Sequence, residues 1–405
     1  MGCRLFQNSI KKFMLDDSTA AMQQIVQTAK RSPLPHGEIS FLAQALANSG
    51  EVLNLSGHCS KMADIASTGG PSSLSTILGP LFLRIYGFSV PKLGVPGRPA
   101  GAIDVFCQLP GYQRTFSAEK TKEILDSCGF VNLLAGDNLA PKDAKLFAYR
   151  KQNNAVNIPE LAVASLLSKK IAVGLQTVGL DVRVAPHGNF GATWEEARKN
   201  SKIFVEVAKD AGIYATCFLT DASRPFQPYI GRSEALVALS KVFDNSACSW
   251  LQEHVAMCKL MAQSLTRDSR AAVDISTELK SAFFENLAAQ GSDRKAFEEI
   301  LDMHAGAPKL DVTATQDGIL VWDMQAIRKT IVDQQRDAVA REAFPDPIGI
   351  TLYCRSGDFV VKDQPICCVR YGRDEPSART ALSTSFYRIS SNPGRLGNFE
   401  IVSNE

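Results

Sequence analysis

The feature that most constrains the fold of this chain is a regular alternation of short apolar segments with longer helical ones. The alternation begins near Met62, and glycine-containing turns separate the segments. Four of the short segments look like strands, and they cover residues 88–93, 130–134, 178–184 and 214–220. Because parallel strands need a crossover between them, usually a helix, this order predicts an α/β domain with a largely parallel core.

The two ends of the chain follow different patterns. The first sixty residues predict short helices, with Gly50 as a helix stop. Beyond about Ser276 the chain becomes helical and charged, and three further strand-like segments follow at 318–322, 348–353 and 366–371. These segments predict a C-terminal α+β lobe.

One helix between the strand-like segments is marked clearly at both ends. Asn157 is its predicted N-cap, with Glu160 three residues later and Pro159 in the first turn. Apolar residues at helical spacing continue as far as Val173, and Gly174 is a natural stop.

The composition is that of an ordinary soluble globular protein, with 45% hydrophobic and 21% charged residues among 405. The formal net charge of +2 gives no general attraction to nucleic acid or to a membrane surface. The sequence has neither a long apolar run nor a signal-peptide pattern at its start. Its ten cysteines show no metal-ligand spacing, so we predict reduced thiols, no metal site and a cytoplasmic protein.

Ser165 and Lys169 are the first candidate functional residues, because their spacing of four places them on one face of the marked helix. The ammonium can donate to a carbonyl oxygen, and the hydroxyl can donate or accept near a ring nitrogen. The planar guanidinium of Arg150 can donate to a second carbonyl. Uracil and thymine offer O2, N3–H and O4, which these groups complement. On spacing alone, an incidental pair on a solvated helix face is the simpler interpretation.

Ser67, Thr68 and Gly69 begin the second candidate site, a serine-rich turn that continues through Ser75 into an apolar helix. Glycine allows close backbone approach, and N–H groups and hydroxyls at a helix start favour an anion such as phosphate. The alternative is an ordinary strand-to-helix turn capped by serines.

A second glycine-rich loop, residues 92–104, contains Lys92 and Arg98, whose positive charges would suit the same anion. As a lone motif it is weak, since glycine and proline also interrupt ordinary loops. His187 follows a predicted strand and is a candidate pH-sensitive group, although an ordinary loop residue is the simpler interpretation.

Taken in order, these segments resemble the thymidine phosphorylase family, also called the type II nucleoside phosphorylases. The family's K-[HT]-S-T-G-G loop corresponds to residues 65–70, its A-T-R to residues 148–150, and its A-S-[IL]-L-[AS]-K-K to residues 164–170. The separation of the arginine from the serine also agrees. Other similar stretches are 140–143, 180–184, 218–221, 315–318 and 356–359, so the resemblance runs from about Gly37 to about Asp374.

The resemblance implies a discontinuous all-helical domain that carries the base pocket, at residues 1–58 and 143–174. It implies a larger α/β domain that carries the anion site, at residues 59–142 and 175–320, and a C-terminal α+β lobe at 321–405. The implied protein is a homodimer without a cofactor. It would cleave the N-glycosidic bond of a pyrimidine nucleoside with phosphate as co-substrate, and it would release the base and a pentose 1-phosphate.

The resemblance also implies roles for single residues. Arg150 and Lys169 would stabilise negative charge on the departing base, Ser165 would orient the ring, and Phe147 would line the same pocket. Phosphate would be bound by a set of six residues: Ser67, Thr68, Gly69, Ser75, Lys92 and Arg98.

The match is weakest around the anion. Ile65 stands where the family has the lysine that pairs with phosphate, and Ala66 replaces the adjacent histidine or threonine. Lys92 aligns with a family serine, Ala102 with a threonine and Phe147 with a tyrosine. Without the lysine a charge-assisted contact is lost, so we expect Lys92 or Arg98 to supply the charge.

Three functions stay open on this evidence. The chain is a divergent pyrimidine-nucleoside phosphorylase, an enzyme that cleaves a nucleoside or nucleotide glycosidic bond without phosphate, or a non-catalytic protein that binds pyrimidine nucleosides. Anthranilate phosphoribosyltransferases share the architecture and a similar glycine loop, but they need paired carboxylates to hold magnesium. No such pair stands at a suitable helix start, and the region of Asp221 reads Asp-Ala-Ser, so that relative is less favoured.

Overall fold

The computed structural model of the chain describes residues 2–53, 55, 61–95, 99–136, 138–186, 188, 190–266, 275–336, 344–371, 386–390 and 399–403. Its helices are α1 (Gly2–Asp16), α2 (Thr19–Arg31), α3 (His36–Ala47), α4 (Ser75–Ile85), α5 (Ala102–Phe106), α6 (Ala118–Cys128), α7 (Pro141–Gln152), α8 (Pro159–Ala172), α9 (Trp194–Asp210), α10 (Arg232–Phe243), α11 (Ser249–Gln263), α12 (Ile275–Ala289), α13 (Arg294–Ala305) and α14 (Met324–Arg336). Its strands are β1 (Ala63–Ser67), β2 (Val90–Gly94), β3 (Phe130–Leu134), β4 (Thr177–Val184), β5 (Tyr214–Asp221), β6 (Tyr229–Gly231), β7 (Lys309–Thr313), β8 (Gly318–Trp322), β9 (Gly349–Leu352), β10 (Phe359–Val360), β11 (Pro365–Arg370), β12 (Tyr387–Ser390) and β13 (Phe399–Ser403).

The central sheet has the order β1-β4-β5-β13, in which β1, β4 and β5 are parallel. The C-terminal strand β13 pairs antiparallel with β5 and covers that edge. Strands β2 and β3 form a second parallel pair, and a parallel bridge between Met62 and Ser89 joins the starts of β1 and β2. The predicted α/β class with a largely parallel core is confirmed.

Two hydrophobic clusters hold the central sheet from opposite sides. One contains buried residues of α4, α10, α11 and α12, and it reaches the sheet through Ile65 and Phe218. The other joins α1, α2, α3, α8 and α9 to β4 and β5. The carboxyl ends of β1, β4 and β5 therefore open at one edge between the clusters, which is where α/β proteins place ligands.

Helix α8 differs from the prediction at its start. The predicted capping by Asn157 is wrong, because the N-cap is Ile158 in an extended conformation and it makes no side-chain cap. Pro159 opens the helix, where its missing N–H has no consequence. The predicted stop is confirmed, since Gly174 follows the helix with a φ of +67°. The helix end predicted at Gly50 also differs, because α3 ends at Ala47.

The C-terminal region forms the predicted α+β lobe with α14 and the antiparallel strands β9, β10, β11 and β12, which pair with β6, β7 and β8 from earlier in the chain. Its segment 344–348 is attached to the rest of the chain by Arg232, which pairs with Asp346 and Asp104 at 3.1 Å each. The boundaries predicted for the three domains stay a prediction. In the described part of the chain, no helix has the length and apolar character needed to cross a membrane.

Helix α4 lies unusually close to β1. A Cβ atom added at Gly79 of α4 would lie 2.9 Å from Cβ and from Cδ1 of Ile65, and one added at Gly179 of β4 would lie 3.1 Å from Cγ1 of Ile65. The Ile65 side chain therefore fills the space that two glycines leave between helix and sheet.

This contact reverses the usual effect of an alanine in a helix. An alanine in place of a helix glycine usually stabilises a protein by about 1 kcal/mol. At Gly79 that gain is opposed twice, because a Cβ before Pro80 disfavours helical backbone and overpacking against Ile65 costs about 1–3 kcal/mol. We expect a lower free energy of unfolding for Gly79→Ala in urea denaturation. Gly306→Ala is the control, because Gly306 has a helical φ of −81° and its added Cβ would have contacts of 3.7 Å or more. Gly79→Ala with unchanged stability would contradict the close packing.

Candidate functional site

The turn after β1 has a backbone conformation that most residues avoid. Gly69 and Gly70 have φ of +90° and +125°, and Ser72 has a φ of +68°. Two hydrogen bonds from outside the turn keep Ser72 in this conformation. Its hydroxyl accepts from the Phe226 backbone N–H at 3.0 Å, and its carbonyl accepts from Gln227 Nε2 at 3.0 Å. The turn is thus fixed by its surroundings in a shape that glycine adopts easily and serine does not.

This turn leaves backbone donors unused. Within the described residues, the N–H groups of Gly69, Gly70, Ser72 and Ser73 have no protein acceptor. The half-buried hydroxyl of Ser67 likewise has no hydrogen bond to that part of the chain. Successive free N–H groups in such a turn form a concave site for an anion.

Asp181 of β4 organises the hydroxyl groups beneath the turn. Its carboxylate is fully buried, and it accepts from Ser75 Oγ at 2.6 Å, from Ser73 Oγ at 3.3 Å and from Thr220 Oγ1 at 2.9 Å. The hydroxyl hydrogen of Ser75 is therefore engaged in a hydrogen bond to Asp181. The role of Ser75 as a phosphate ligand stays a prediction, and in this arrangement its hydroxyl shapes the turn.

Arg183, two residues along β4, lies against the same turn. Its Nε donates to Asp181 at 3.1 Å, its Nη1 to the Gly70 carbonyl at 2.8 Å and its Nη2 to Ser75 Oγ at 3.3 Å. Its backbone N–H donates to Thr68 Oγ1 at 3.0 Å. One buried guanidinium thus connects both ends of the turn to the central sheet.

His254 of α11 holds the end of the turn in place. Its Nε2 accepts from the Leu74 amide at 2.8 Å, so the neutral ring carries its proton on Nδ1. Burial lowers the pKa of His254 to about 3, so the ring stays neutral and the acceptor is kept over the physiological range. Phe226 stacks on the ring with centroids 5.5 Å apart.

Lys92 belongs to a buried triad with Asp64 and Lys170. Its ammonium donates to Asp64 Oδ1 at 2.8 Å and to the Ile65 carbonyl at 2.7 Å, while Lys170 donates to Asp64 Oδ2. Burial alone would raise the pKa of Asp64, but the two ammonium groups outweigh it and lower the pKa to about 2. Burial lowers the pKa of Lys92, although Asp64 opposes that shift. With one carboxylate and two ammonium groups, the triad is positive.

The predicted base-binding residues Ser165 and Lys169 lie together on α8. Lys169 Nζ donates to Ser165 Oγ at 3.1 Å and to the Ser165 carbonyl, and it pairs with Asp143 of α7 at 2.5 Å. Burial lowers the pKa of Lys169, and Asp143 opposes this shift. In the described part of the chain, Asp143 Oδ1 is buried without a hydrogen-bond partner.

Arg150 is 1% exposed, and its guanidinium donates to three backbone carbonyls. Nε bonds to Ala155, Nη1 to Leu161 and Nη2 to Val156, at 3.1, 3.0 and 2.8 Å. Burial lowers the pKa of Arg150 to about 10, so it remains charged at neutral pH. Arg150 thus fixes the connection between α7 and α8. Its contact with a base stays a prediction, as does that of the half-buried Phe147 on α7.

Two neighbouring lysines of α8 join the predicted base-binding residues to β1, the strand before the predicted anion-binding turn. Lys169 pairs with Asp143 on α7, and the next residue, Lys170, pairs with Asp64 on β1. Asp64 lies three residues before Ser67, about 10 Å along an extended strand.

Several of these residues were not predicted from the sequence: Asp64, Asp143, Lys170, Asp181, Arg183 and His254. The signal for Asp181 and Arg183 was available, because both are polar residues in a strand-like segment that is otherwise apolar. For His254 we find no local signal, since it is distant in sequence from the turn. Two predicted residues, Arg98 and His187, lie outside the described residues.

Comparison with known proteins finds relatives named as nucleoside phosphorylases. The chain is 30% identical over 240 residues to a protein named thymidine phosphorylase from Sinorhizobium fredii (strain NBRC 101917 / NGR234), with 57% of this chain and 54% of that protein covered. It is 32% identical over 203 residues to the thymidine phosphorylase of Agrobacterium fabrum (strain C58 / ATCC 33970), covering 49% and 46%. These matches span about half the length of those relatives.

A longer match is to the pyrimidine-nucleoside phosphorylase of Bacillus subtilis (strain 168), with 25% identity over 354 residues, 83% of this chain and 81% of that protein. The predicted family resemblance is confirmed. No protein-family model matches the chain.

Solved structures resemble the chain in fold alone. Anthranilate phosphoribosyltransferase (TrpD) from Thermus thermophilus has a TM-score of 0.51 at 13% identity, covering 74% of this chain and 94% of that one. The Saccharomyces cerevisiae enzyme in complex with PRPP and Mg has a TM-score of 0.50 at 11% identity, covering 75% and 93%.

The buried triad predicts a large effect of Asp64→Asn. Two ammonium groups would lose their counter-charge, which we expect to lower the free energy of unfolding by about 3–5 kcal/mol at neutral pH. Asp17→Asn is the matched control, because Asp17 also pairs with two lysines, Lys142 and Lys145, but is 41% exposed. Exposed pairs contribute about 0–1 kcal/mol.

The pH dependence of this difference follows from the pKa of Asp64. Since the pKa is lowered from 3.8 to about 2, the unfolded chain takes up the proton first as the pH falls. The difference between the unmodified protein and Asp64→Asn should therefore be complete above about pH 4 and shrink below it. Urea denaturation from about pH 7 to about pH 3 measures it, and a difference that grows on acidification would refute the assignment.

Proposed function

We propose that the chain is a pentosyltransferase that cleaves the N-glycosidic bond of a pyrimidine nucleoside with phosphate as the acceptor. The observation that carries this proposal is the pairing of Lys169 with Asp143 and of Lys170 with Asp64, which joins a base-binding helix to the strand that ends in an anion-binding turn. The relatives named thymidine and pyrimidine-nucleoside phosphorylases support the same reaction.

The charges around the site favour a ligand that is, or becomes, negative. Five buried cations and three buried carboxylates leave a net charge of plus two. The cations are Lys92, Arg150, Lys169, Lys170 and Arg183, and the carboxylates are Asp64, Asp143 and Asp181. In a poorly hydrated site this excess would attract phosphate and would stabilise the pyrimidine anion as the glycosidic bond breaks.

The unpaired oxygen of Asp143 supports a ligand with an N–H group. A buried carboxylate oxygen without a donor is costly, so a donor from the ligand would lower the free energy of the complex. Uracil and thymine carry N3–H beside two carbonyl oxygens. Asp143 Oδ1 would then accept from N3–H, while Oδ2 holds the ammonium of Lys169 in position. Lys169 and Ser165 would contact a carbonyl oxygen of the ring.

On the anion side, phosphate would be bound by the free N–H groups of the turn, with the hydroxyls of Ser67 and Thr68. Lys92 and Arg98 would add positive charge, Lys92 through the buried triad rather than as a free ammonium. The enzyme would act without a cofactor, as a cytoplasmic homodimer. Bound phosphate would be held close to C1′ of the pentose. The entropic cost of bringing the nucleophile to the substrate would then be met on binding rather than in the transition state.

A product assay tests the reaction. The full-length protein is incubated with uridine, thymidine or cytidine, with and without inorganic phosphate, and free base and pentose 1-phosphate are measured. Release of base only with phosphate is expected. Release without phosphate would replace the proposal by a hydrolytic or other glycosidic-bond enzyme, and binding without release would indicate a non-catalytic homologue.

If Lys169 binds the base, its replacement should affect the KM for the nucleoside and not the KM for phosphate. Because Lys169→Gln alone would leave Asp143 buried and unpaired, we prefer the double variant Asp143→Asn/Lys169→Gln, which removes both charges. The KM for the nucleoside should rise at least about 10-fold, the loss of one charged hydrogen bond, while the KM for phosphate stays unchanged. Lys145→Gln, an exposed lysine on the same helix as Asp143, is the control. An unchanged nucleoside KM would remove the base-pocket assignment.

A further inference from the structure

The anion turn lacks the lysine that its family uses, and the structure explains why that lysine cannot return by a simple side-chain change. Ile65 occupies its place and is packed into the hydrophobic core against Gly79 and Gly179. Lys92, the nearest predicted substitute, donates to Asp64 and to the Ile65 carbonyl, both in the strand before the turn. Among the described residues, a cation that contacts the turn itself has to come from another element.

Arg183 is a cation that contacts the turn directly. It bonds to the Gly70 carbonyl and to Ser75 Oγ, which lie at the two ends of the turn. A Cβ atom on Gly70 would lie 3.6 Å from its Cδ and 3.9 Å from its Nη1, so the side chain runs directly along the turn. The cation and the free backbone N–H groups thus belong to one structure.

The guanidinium also has donors to spare. Three of its five N–H bonds are directed at Asp181, Gly70 and Ser75, and one N–H each on Nη1 and Nη2 has no acceptor among the described residues. The side chain is only 4% exposed. Unused donors on a buried cation, beside four unused backbone N–H groups, indicate an anionic ligand.

Asp181 fixes this arrangement without occupying it. It accepts on the Nε side of the guanidinium, and its remaining capacity is taken up by the hydroxyls of Ser75, Ser73 and Thr220. The carboxylate therefore holds Arg183 in one orientation and leaves the Nη groups at the turn.

We propose that Arg183 binds the phosphate at the turn after β1 and supplies the positive charge that its family places at the position of Ile65. The proposal rests on the proposed function for the identity of the anion. Arg183 would act by direct contact, with Asp181 as its positioning residue.

The test is the affinity of the full-length protein for inorganic phosphate, measured by isothermal titration calorimetry, together with the KM values for phosphate and nucleoside. Arg183→Gln should weaken phosphate binding roughly 10- to 100-fold, as expected for a lost charged hydrogen bond, and leave the nucleoside KM unchanged. Arg183→Lys keeps the charge but loses the fork of donors, so a smaller loss is expected.

Arg232→Gln is the matched control. Arg232 is equally buried and also pairs with carboxylates, but it lies at the contact with the C-terminal lobe. It should lose thermal stability and retain the phosphate affinity of the unmodified protein. A general effect of losing a buried arginine would weaken phosphate binding in both variants and would overturn the proposal.

Other outcomes are equally decisive. Arg183→Gln with unchanged phosphate affinity would show that Arg183 is structural, even if the protein is a phosphorylase. An unmodified protein that binds no phosphate would overturn the inference as well. If phosphate binds through Arg183 but no base is released, the inference stands and the proposed function fails. If Arg183→Gln does not fold, Arg183→Lys decides, because equal phosphate affinity in that variant would refute a direct contact.

Discussion

The ion pairs of Asp64 are the interaction on which the rest of the site depends. Asp64 stands on β1 and binds Lys92 of β2 and Lys170 of α8, so three elements from distant parts of the sequence are joined at one carboxylate. Two ammonium groups can be buried here because the carboxylate offsets their desolvation and accepts their hydrogen bonds. The register of α8 along β1 is fixed in consequence, and with it the position of Lys169.

The same principle recurs at two other cations of the site. Lys169 is held by Asp143, and Arg183 by Asp181. A buried ammonium without such a partner would lose its proton or destabilise the fold. Asp143 and Asp181 balance the charges of Lys169 and Arg183. The positive excess therefore comes from the Asp64 triad and from Arg150, whose guanidinium donates to backbone carbonyls. Preorganised charge of this kind needs no rearrangement when negative charge develops.

The sequence predicted the fold and parts of the site for physical reasons. Alternating strands and helices follow from local hydrophobic patterns, which is why β3 and β8 match their predicted segments to the residue. The spacing of Ser165 and Lys169 is a property of one helix and was equally accessible. The partners of these residues were not, because the pairing of Lys170 with Asp64 or of Leu74 with His254 depends on how distant elements pack. The start of α8 was missed because Ile158 has no cap signal and Asn157 imitates one.

Ile65 illustrates how a polar site and a hydrophobic core share one strand. Successive residues of β1 point to opposite faces, so Asp64 faces the lysines while Ile65 faces α4. An isoleucine is accommodated there only because Gly79 and Gly179 leave room for its branches. Restoring a lysine would place an ammonium in this apolar space or force its long side chain around the end of the strand. The isoleucine at this position is therefore coupled to packing on the far face of the sheet. The neighbouring parallel strand β4 brings a different cation to the turn, because Arg183 donates to the Gly70 carbonyl through its side chain and to Thr68 Oγ1 through its backbone N–H.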